Sequence, residues 1–191
     1  MIEPHDFARR DFLAGALALF PGAVLGQSAT GTNPVPAAIA KVPFGGDRLG
    51  ETHAIGISST SYKVLTSESS GSLFLFEHRH TPGKKGGPPR HLHHNEDEWF
   101  YVIEGRYIAE IGSTRLELNP GDSVLGPREI PHAWAFAGDT PGRLLIAFAP
   151  ANKMEAFFRD NEKQRKGNEY VNDAAVFRAY GMELLGPPLK V

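Results

Sequence analysis

Apolar and polar positions alternate through the middle of the chain. Within Ser72–His80, the residues Phe74, Phe76, His78 and His80 share one parity; within Glu98–Ile103, Glu98, Phe100 and Val102 do. A period of two places successive side chains on opposite faces of a strand, so each run predicts a strand with one face turned to a core. Further short runs lie at Tyr62–Thr66, Arg90–His93, Arg106–Ile111, Arg115–Leu118, Ser123–Leu125, His132–Ala137 and Arg143–Ala149. Turn-forming clusters such as Glu104-Gly105 and Asn119-Pro120-Gly121-Asp122 divide them. Many short strands at this spacing predict an all-β sandwich or barrel over residues 56–150.

The flanks read differently. Residues 151–191 predict short C-terminal helices and a tail: Asn152 and Glu155 form a capping pair for a helix carrying Met154, Phe157 and Phe158, and Asp173 caps a second that ends at Gly181. Residues 30–55 hold Pro34, Pro36 and Pro43 with little periodicity, and read as a linker or extended arm. Residues 1–29 have the layout of a secretory signal, with Arg9-Arg10 ahead of an apolar stretch that ends near Gly26, Ser28 and Ala29. That stretch, Phe12 to Leu25, is broken by Gly15, Pro21 and Gly22 and is shorter than the roughly 20 apolar residues of a membrane span, so no stable anchor is expected. Arg9-Arg10-Asp11-Phe12-Leu13 resembles a twin-arginine export signal, although Ala8 stands where Ser or Thr is usual. The resemblance implies the twin-arginine machinery as a partner and a periplasmic or secreted destination.

Composition narrows the chemistry. The chain has 191 residues, with 20 Lys+Arg against 22 Asp+Glu and a formal charge of −2. No basic stripe marks a surface for nucleic acid. The absence of cysteine excludes disulfides, thiolate nucleophiles, iron–sulfur clusters and Cys-ligated metals, so a metal ion here must sit on His, Asp or Glu.

One segment offers such ligands. His91 and His93 share a face of a strand, and a turn at His94–Asp97 would form a hairpin whose second strand returns the Glu98 carboxylate to the two imidazoles. A later turn–strand–turn, from Gly121 to Pro131, leads to His132. Three His and one carboxylate leave two exchangeable positions in an octahedral shell.

These residues resemble the two motifs of the cupin family. His91, His93, Glu98 and Gly105 match the spacing of the first, Gly-x5-His-x-His-x3–4-Glu-x6-Gly, with Lys85 at its opening Gly and Gly86 one place late. Gly121, Pro127 and His132 match the second, Gly-x5-Pro-x-Gly-x2-His-x3-Asn, with Glu129 in place of its Gly and Phe136 in place of its Asn. The resemblance implies a jelly-roll-like β-barrel with His91, His93, Glu98 and His132 as ligands of one divalent transition metal. The run Gly86–Pro89, the pair His93-His94 and the tail Tyr180–Pro188 are similar to bacterial quercetinase-like cupins. That narrower resemblance implies a metal-dependent dioxygenase taking dioxygen and a small flavonol-like or diketone substrate. Glu98 is then either the fourth ligand or a catalytic base. A cupin isomerase or decarboxylase, and a periplasmic binding protein without turnover, are the alternatives.

The remaining candidates are weighed by parity. Phe74, Phe76, His78, Phe100, Trp134 and Phe136 face inward and form either a substrate pocket or plain barrel filling. His94 should face away at the turn, and His53 and His5 have no partner in spacing. Trp99, Tyr101 and Ile103 make an apolar outer face that calls for a cover, by another sheet, the C-terminal helices or a second subunit in a homodimer. Arg79, Arg90 and Arg128 sit near strand ends, where an anion could meet them. A protein folded before export takes its metal in the cytoplasm, where free copper and zinc are scarce, so Mn, Fe, Ni or Co is expected ahead of Cu or Zn.

Overall fold

The computed structural model describes residues 40–55, 58–164 and 173–191; the expected signal segment and His5 lie outside them. Among the described residues eleven strands and two α-helices follow in order: β1 (His53–Ile55), β2 (Ser58–Val64), β3 (Phe74–His80), β4 (Pro89–His93), β5 (Asp97–Glu104), β6 (Tyr107–Ile111), β7 (Thr114–Leu118), β8 (Ser123–Gly126), β9 (His132–Phe136), β10 (Gly142–Ala149), α1 (Met154–Gln164), α2 (Ala174–Ala179) and β11 (Met182–Pro188). They form a six-stranded sheet, β1-β2-β3-β10-β5-β8, and a five-stranded sheet, β11-β4-β9-β6-β7. Every pairing is antiparallel, and the architecture is an all-β, two-sheet jelly roll.

The alternation read from the sequence fixes the core. Phe74, Phe76, Phe100, Val102, Leu144, Ile146 and Phe148 from the six-stranded sheet are buried against Tyr107, Ala109, Trp134 and Phe136 from the five-stranded one. Fully burying one such aromatic or aliphatic side chain contributes about 1.5–3 kcal/mol, so this shared interior dominates the stability of the barrel.

Several expectations are corrected. β4 and β5 are not a hairpin: they belong to different sheets, and the turn between them carries the chain across the barrel. The stretch expected as an arm contains a strand, β1, whose His53 pairs with Thr60 of β2. The run expected to reach Thr66 stops at Val64, and Thr66–Ser69 form a 3-10 turn. The tail is also a strand, β11, on an edge of its sheet, with Pro188 opposite Pro89 of β4. Proline lacks an N–H to give a ladder, and an edge is where it is tolerated.

The helices differ in their starts. Asp173 caps α2 as expected, its carboxylate accepting from the Ala175 N–H at 2.7 Å. Asn152 and Glu155 do not cap α1. Asn152 donates to Asn95 O and to Glu96 Oε2, and Glu155 accepts from the Thr66 N–H. Among the described residues no helix is long and apolar enough to cross a membrane.

Candidate metal centre

Three strands from two sheets build the cluster. β4 turns His91 and His93 inward, and β9 beside it sets His132 directly opposite His91. β5, in the facing sheet, supplies Glu98, whose register partner is Gly126 on β8. A Cβ on Gly126 would lie 3.2 Å from the His132 ring, so a glycine there leaves the imidazole its place. Gly87 has a similar role at the entry to β4, because a Cβ there would fall 1.9 Å from Trp134 O and push β4 off β9.

The four side chains are buried and converge on one point. Glu98 Oε2 lies 2.9 Å from His132 Nε2, 3.3 Å from His93 Nε2 and 3.7 Å from His91 Nε2, and one ligand atom from each residue falls within 4.8 Å of all the others. Donors held about 2.1 Å from one ion are about 3.0 Å apart at neighbouring octahedral positions and about 4.2 Å apart at opposite ones. The three separations from Glu98, 2.9, 3.3 and 3.7 Å, are close to those expected of ligands that share one ion.

The other ring nitrogens decide the charge. His91 Nδ1 contacts Pro89 O at 2.8 Å and His132 Nδ1 contacts Ile130 O at 2.9 Å, while His93 Nδ1 contacts the Glu96 carboxylate at 2.7 Å. Carbonyl and carboxylate oxygens only accept, so each Nδ1 carries a proton; once Nε2 is deprotonated, each ring presents that nitrogen's lone pair to Glu98. Three lone pairs and an anion facing one another repel unless a cation stands among them. Taking a carboxylate out of water costs several kcal/mol, which neutral acceptors cannot return. His93 Nε2 is moreover buried without a hydrogen-bond partner. The residues therefore fit a divalent metal.

In the metal-free protein a proton stands in for that cation. Burial pushes His91 down, so its ring is neutral at pH 7. Burial also opposes charge on His93, but Glu96 and Glu98 outweigh it and raise this imidazole to about 9. Burial would raise Glu98 as well; its contacts with His132, His91 and His93 hold it well below the usual carboxylate range.

Glu96 is the functional residue that the sequence reading passed over. It is fully buried, and it reaches His93 through Oε1 and the Asn152 amide through Oε2. Its one signal in the sequence is an acid in a turn beside the ligands, which solvated turns also show. His94 faces away, with Nδ1 2.9 Å from Glu129, and Glu129 itself has the left-handed φ of 62° that a glycine in that motif position would adopt freely. His53 is not partnerless: it meets Glu162 at 2.8 Å and stacks on Tyr62. The three arginines are engaged within the protein, Arg79 with Glu77, Arg90 with Glu110 and Gly112 O, and Arg128 with Asp97.

The cluster opens into a cavity of about 30 Å³. Phe76 and His78 of β3, Trp134 of β9 and Ile146 and Phe148 of β10 form its walls. Its roof, unforeseen in the sequence, comes from Met154, Phe157 and Phe158 of α1, Phe177 of α2 and Met182 of β11. Of the six expected pocket residues, Phe76, His78 and Trp134 line it. Phe74 packs behind against Tyr62 and Phe148, Phe100 lies beneath His132 and Trp134, and Phe136 stacks on His80 at the far end of the barrel.

Parts of the chain are similar to known proteins. Residues 78–148, which include all four clustered side chains, match the family described as Cupin domain. The uncharacterized protein MJ1618 of Methanocaldococcus jannaschii is 28% identical over 65 residues, 34% of this chain and 52% of that protein, so the chain spans about half the length of this curated relative. Among solved structures, the chain is similar to KdgF from Halomonas sp. (21% identity, 52% of this chain and 86% of that one, TM-score 0.45) and to an RmlC-like cupin from Shewanella frigidimarina (22% identity, 55% and 87%, TM-score 0.45). Residues 78–148, folded as part of a two-sheet jelly roll around a buried His/Glu cluster, are thus the part of this chain that is similar to a cupin domain.

Proposed function

We propose that the chain is an exported, metal-dependent dioxygenase acting on a small oxygenated substrate of the diketone or flavonol-like class. The observation that carries this reading is the buried three-His, one-Glu cluster at the floor of a cavity whose other walls are almost wholly apolar. A divalent transition metal bound there supplies Lewis acidity and, where redox-active, a means of activating dioxygen. His91, His93 and His132 would hold it through Nε2 with rings already oriented by their Nδ1 contacts, and Glu98 would add the anionic donor. The apolar walls exclude water and leave the cluster as the main polar anchor. Glu98 is the one carboxylate on the cavity lining, so it is the candidate to take a substrate proton.

Size bears on the substrate. A cavity of about 30 Å³ is enough for water or a comparably small group, and a flavonol needs the roof displaced, whereas a small diketone asks for less movement. The test is dioxygen uptake by protein loaded separately with Mn, Fe, Co or Ni, against β-diketones and flavonols. We expect uptake with a small diketone, lost in His91→Ala together with most of the bound metal. Product formation without dioxygen consumption would replace this reading with a non-oxidative isomerase or decarboxylase. Full metal content in His91→Ala would overturn the cluster as the metal site.

A further inference from the structure

One residue of the cavity lining carries a buried polar atom that has no role in the cluster. His78 lines the cavity from β3, beside Phe76 and Trp134, and its Nδ1 is buried without any hydrogen-bond partner. Its other nitrogen, Nε2, meets Ser58 Oγ. Ser58 Oγ also lies 2.7 Å from Ile55 O. A carbonyl oxygen has no proton of its own, so the single hydroxyl proton of Ser58 is committed to Ile55. Ser58 Oγ must then accept from His78, which fixes the proton on Nε2. Nδ1 is left as a bare lone pair.

We propose that Nδ1 of His78 is the hydrogen-bond acceptor for a hydroxyl group of the ligand that enters the cavity. The assignment rests on the cavity being the ligand site, as in the reading above, and not on any oxygen chemistry. A buried acceptor without a donor costs about 1–3 kcal/mol, so a ligand that brings a hydroxyl there gains over one that does not. Among the described residues no such donor reaches Nδ1. Burial holds the His78 imidazole well below its ordinary pKa, which keeps the ring neutral and the lone pair free. The neighbouring His80 is engaged elsewhere, its Nδ1 3.1 Å from the Tyr107 hydroxyl. His78 is thus a ligand-anchoring residue that selects hydroxylated compounds over apolar ones of equal shape.

Phenol and toluene differ by a hydroxyl in place of a methyl, ask nearly the same displacement of the roof because they are of nearly equal size, and therefore serve as probes. Their affinities are measured by calorimetry on the full chain, with and without zinc, while ¹⁵N spectra follow the His78 ring. We expect the Nε2-protonated tautomer, a shift of Nδ1 with phenol but not with toluene, and phenol bound about fivefold more tightly in both states. His78→Phe should abolish the preference. His78→Asn, which keeps a side-chain oxygen near the position of Nδ1, should retain part of it, and covers the case in which the Phe variant fails to fold. An Nδ1-protonated ring, equal affinities (including the case of an ordered water already satisfying Nδ1), no binding of either probe, or a preference that survives in His78→Phe would each overturn the proposal. A protein that keeps the phenol preference but consumes no dioxygen would sink the oxygenase reading alone.

Discussion

Glu96 and His93 set the terms on which a cation is accepted. The metal-free protein holds a proton on His93, raised to about 9, and a metal must displace it to reach Nε2. Apparent metal affinity should therefore rise by up to about tenfold per pH unit and level off once pH passes about 9. The same shift has the opposite consequence for the metal-free fold. A raised His pKa adds stability that is fully present below about 6.5 and is lost as pH climbs to about 9, so the metal-free protein should unfold more easily at alkaline pH. Glu96→Gln removes the nearer of the two anions that raise His93. We expect its plateau at lower pH and a metal affinity about 10- to 100-fold weaker at that plateau, because the ring loses its carboxylate support. Metal titrations between pH 6 and 10 check both; an unchanged affinity and profile in Glu96→Gln would assign Glu96 to packing alone.

Among the elements, α1, α2 and β11 decide what reaches the cluster. Met154, Phe157 and Phe158 fall at helical spacing on one face of α1 and close the cavity together with Phe177 and Met182. Phe157 and Phe177 are buried and meet edge to face at 5.6 Å. Phe157→Ala should cost about 3–5 kcal/mol if the roof does not collapse into the space, and less if it does. A fused-ring aromatic of flavonol size that the closed cavity excludes should then bind more tightly, with metal content unchanged. Thermal unfolding together with ligand titration reads both effects; destabilisation with no gain for the larger ligand would mean that entry lies elsewhere. The same elements show how local patterns mislead. The spacing of His93, Glu98 and the turn between them is legible, but which sheet each strand joins is not, since a turn reverses or redirects the chain with the same residues. The tail hides its strand behind Gly186, Pro187 and Pro188, and only an edge position opposite Pro89 lets such a sequence pair.

For the whole molecule, the prediction joins the leader to the barrel. A three-His, one-Glu cluster discriminates poorly among divalent ions, so the compartment in which the barrel closes chooses the ion. With the twin-arginine reading of residues 1–29, we expect exported protein loaded with Mn, Fe, Ni or Co. Arg9→Lys combined with Arg10→Lys should leave a folded, metal-loaded precursor in the cytoplasm, and a leader for unfolded export should raise copper or zinc occupancy. Metal analysis of the two exported forms checks this; normal export of the double-Lys variant, or one metal by both routes, would refute it. The outer face of β5 and β8 also belongs to this scale. Trp99 and Tyr101 stack there half-buried, with Leu125 47% exposed beside them. Of the three covers expected for that face, another sheet, the C-terminal helices or a second subunit, the helices roof the cavity instead.

The sequence by itself determined what is periodic or tied to residue type. Alternation set which faces of β3, β5 and β10 are buried, the lack of cysteine restricted a metal to His and carboxylate donors, and the spacing of His91, His93, Glu98 and His132 picked out the cluster. Those features were legible because each depends on near neighbours in the chain or on chemistry that no fold can change. The tertiary structure alone decided the rest: that Glu98 comes from the opposite sheet, that Glu96 lies buried behind His93, that Phe74, Phe100 and Phe136 fill the barrel while Phe157 and Phe177 close the cavity, and that Nδ1 of His78 is buried without a partner among the described residues. Each of these turns on which distant segments share a wall and which buried polar atoms find a partner, and strand pairing across the barrel settles that, not the order of residues along one strand.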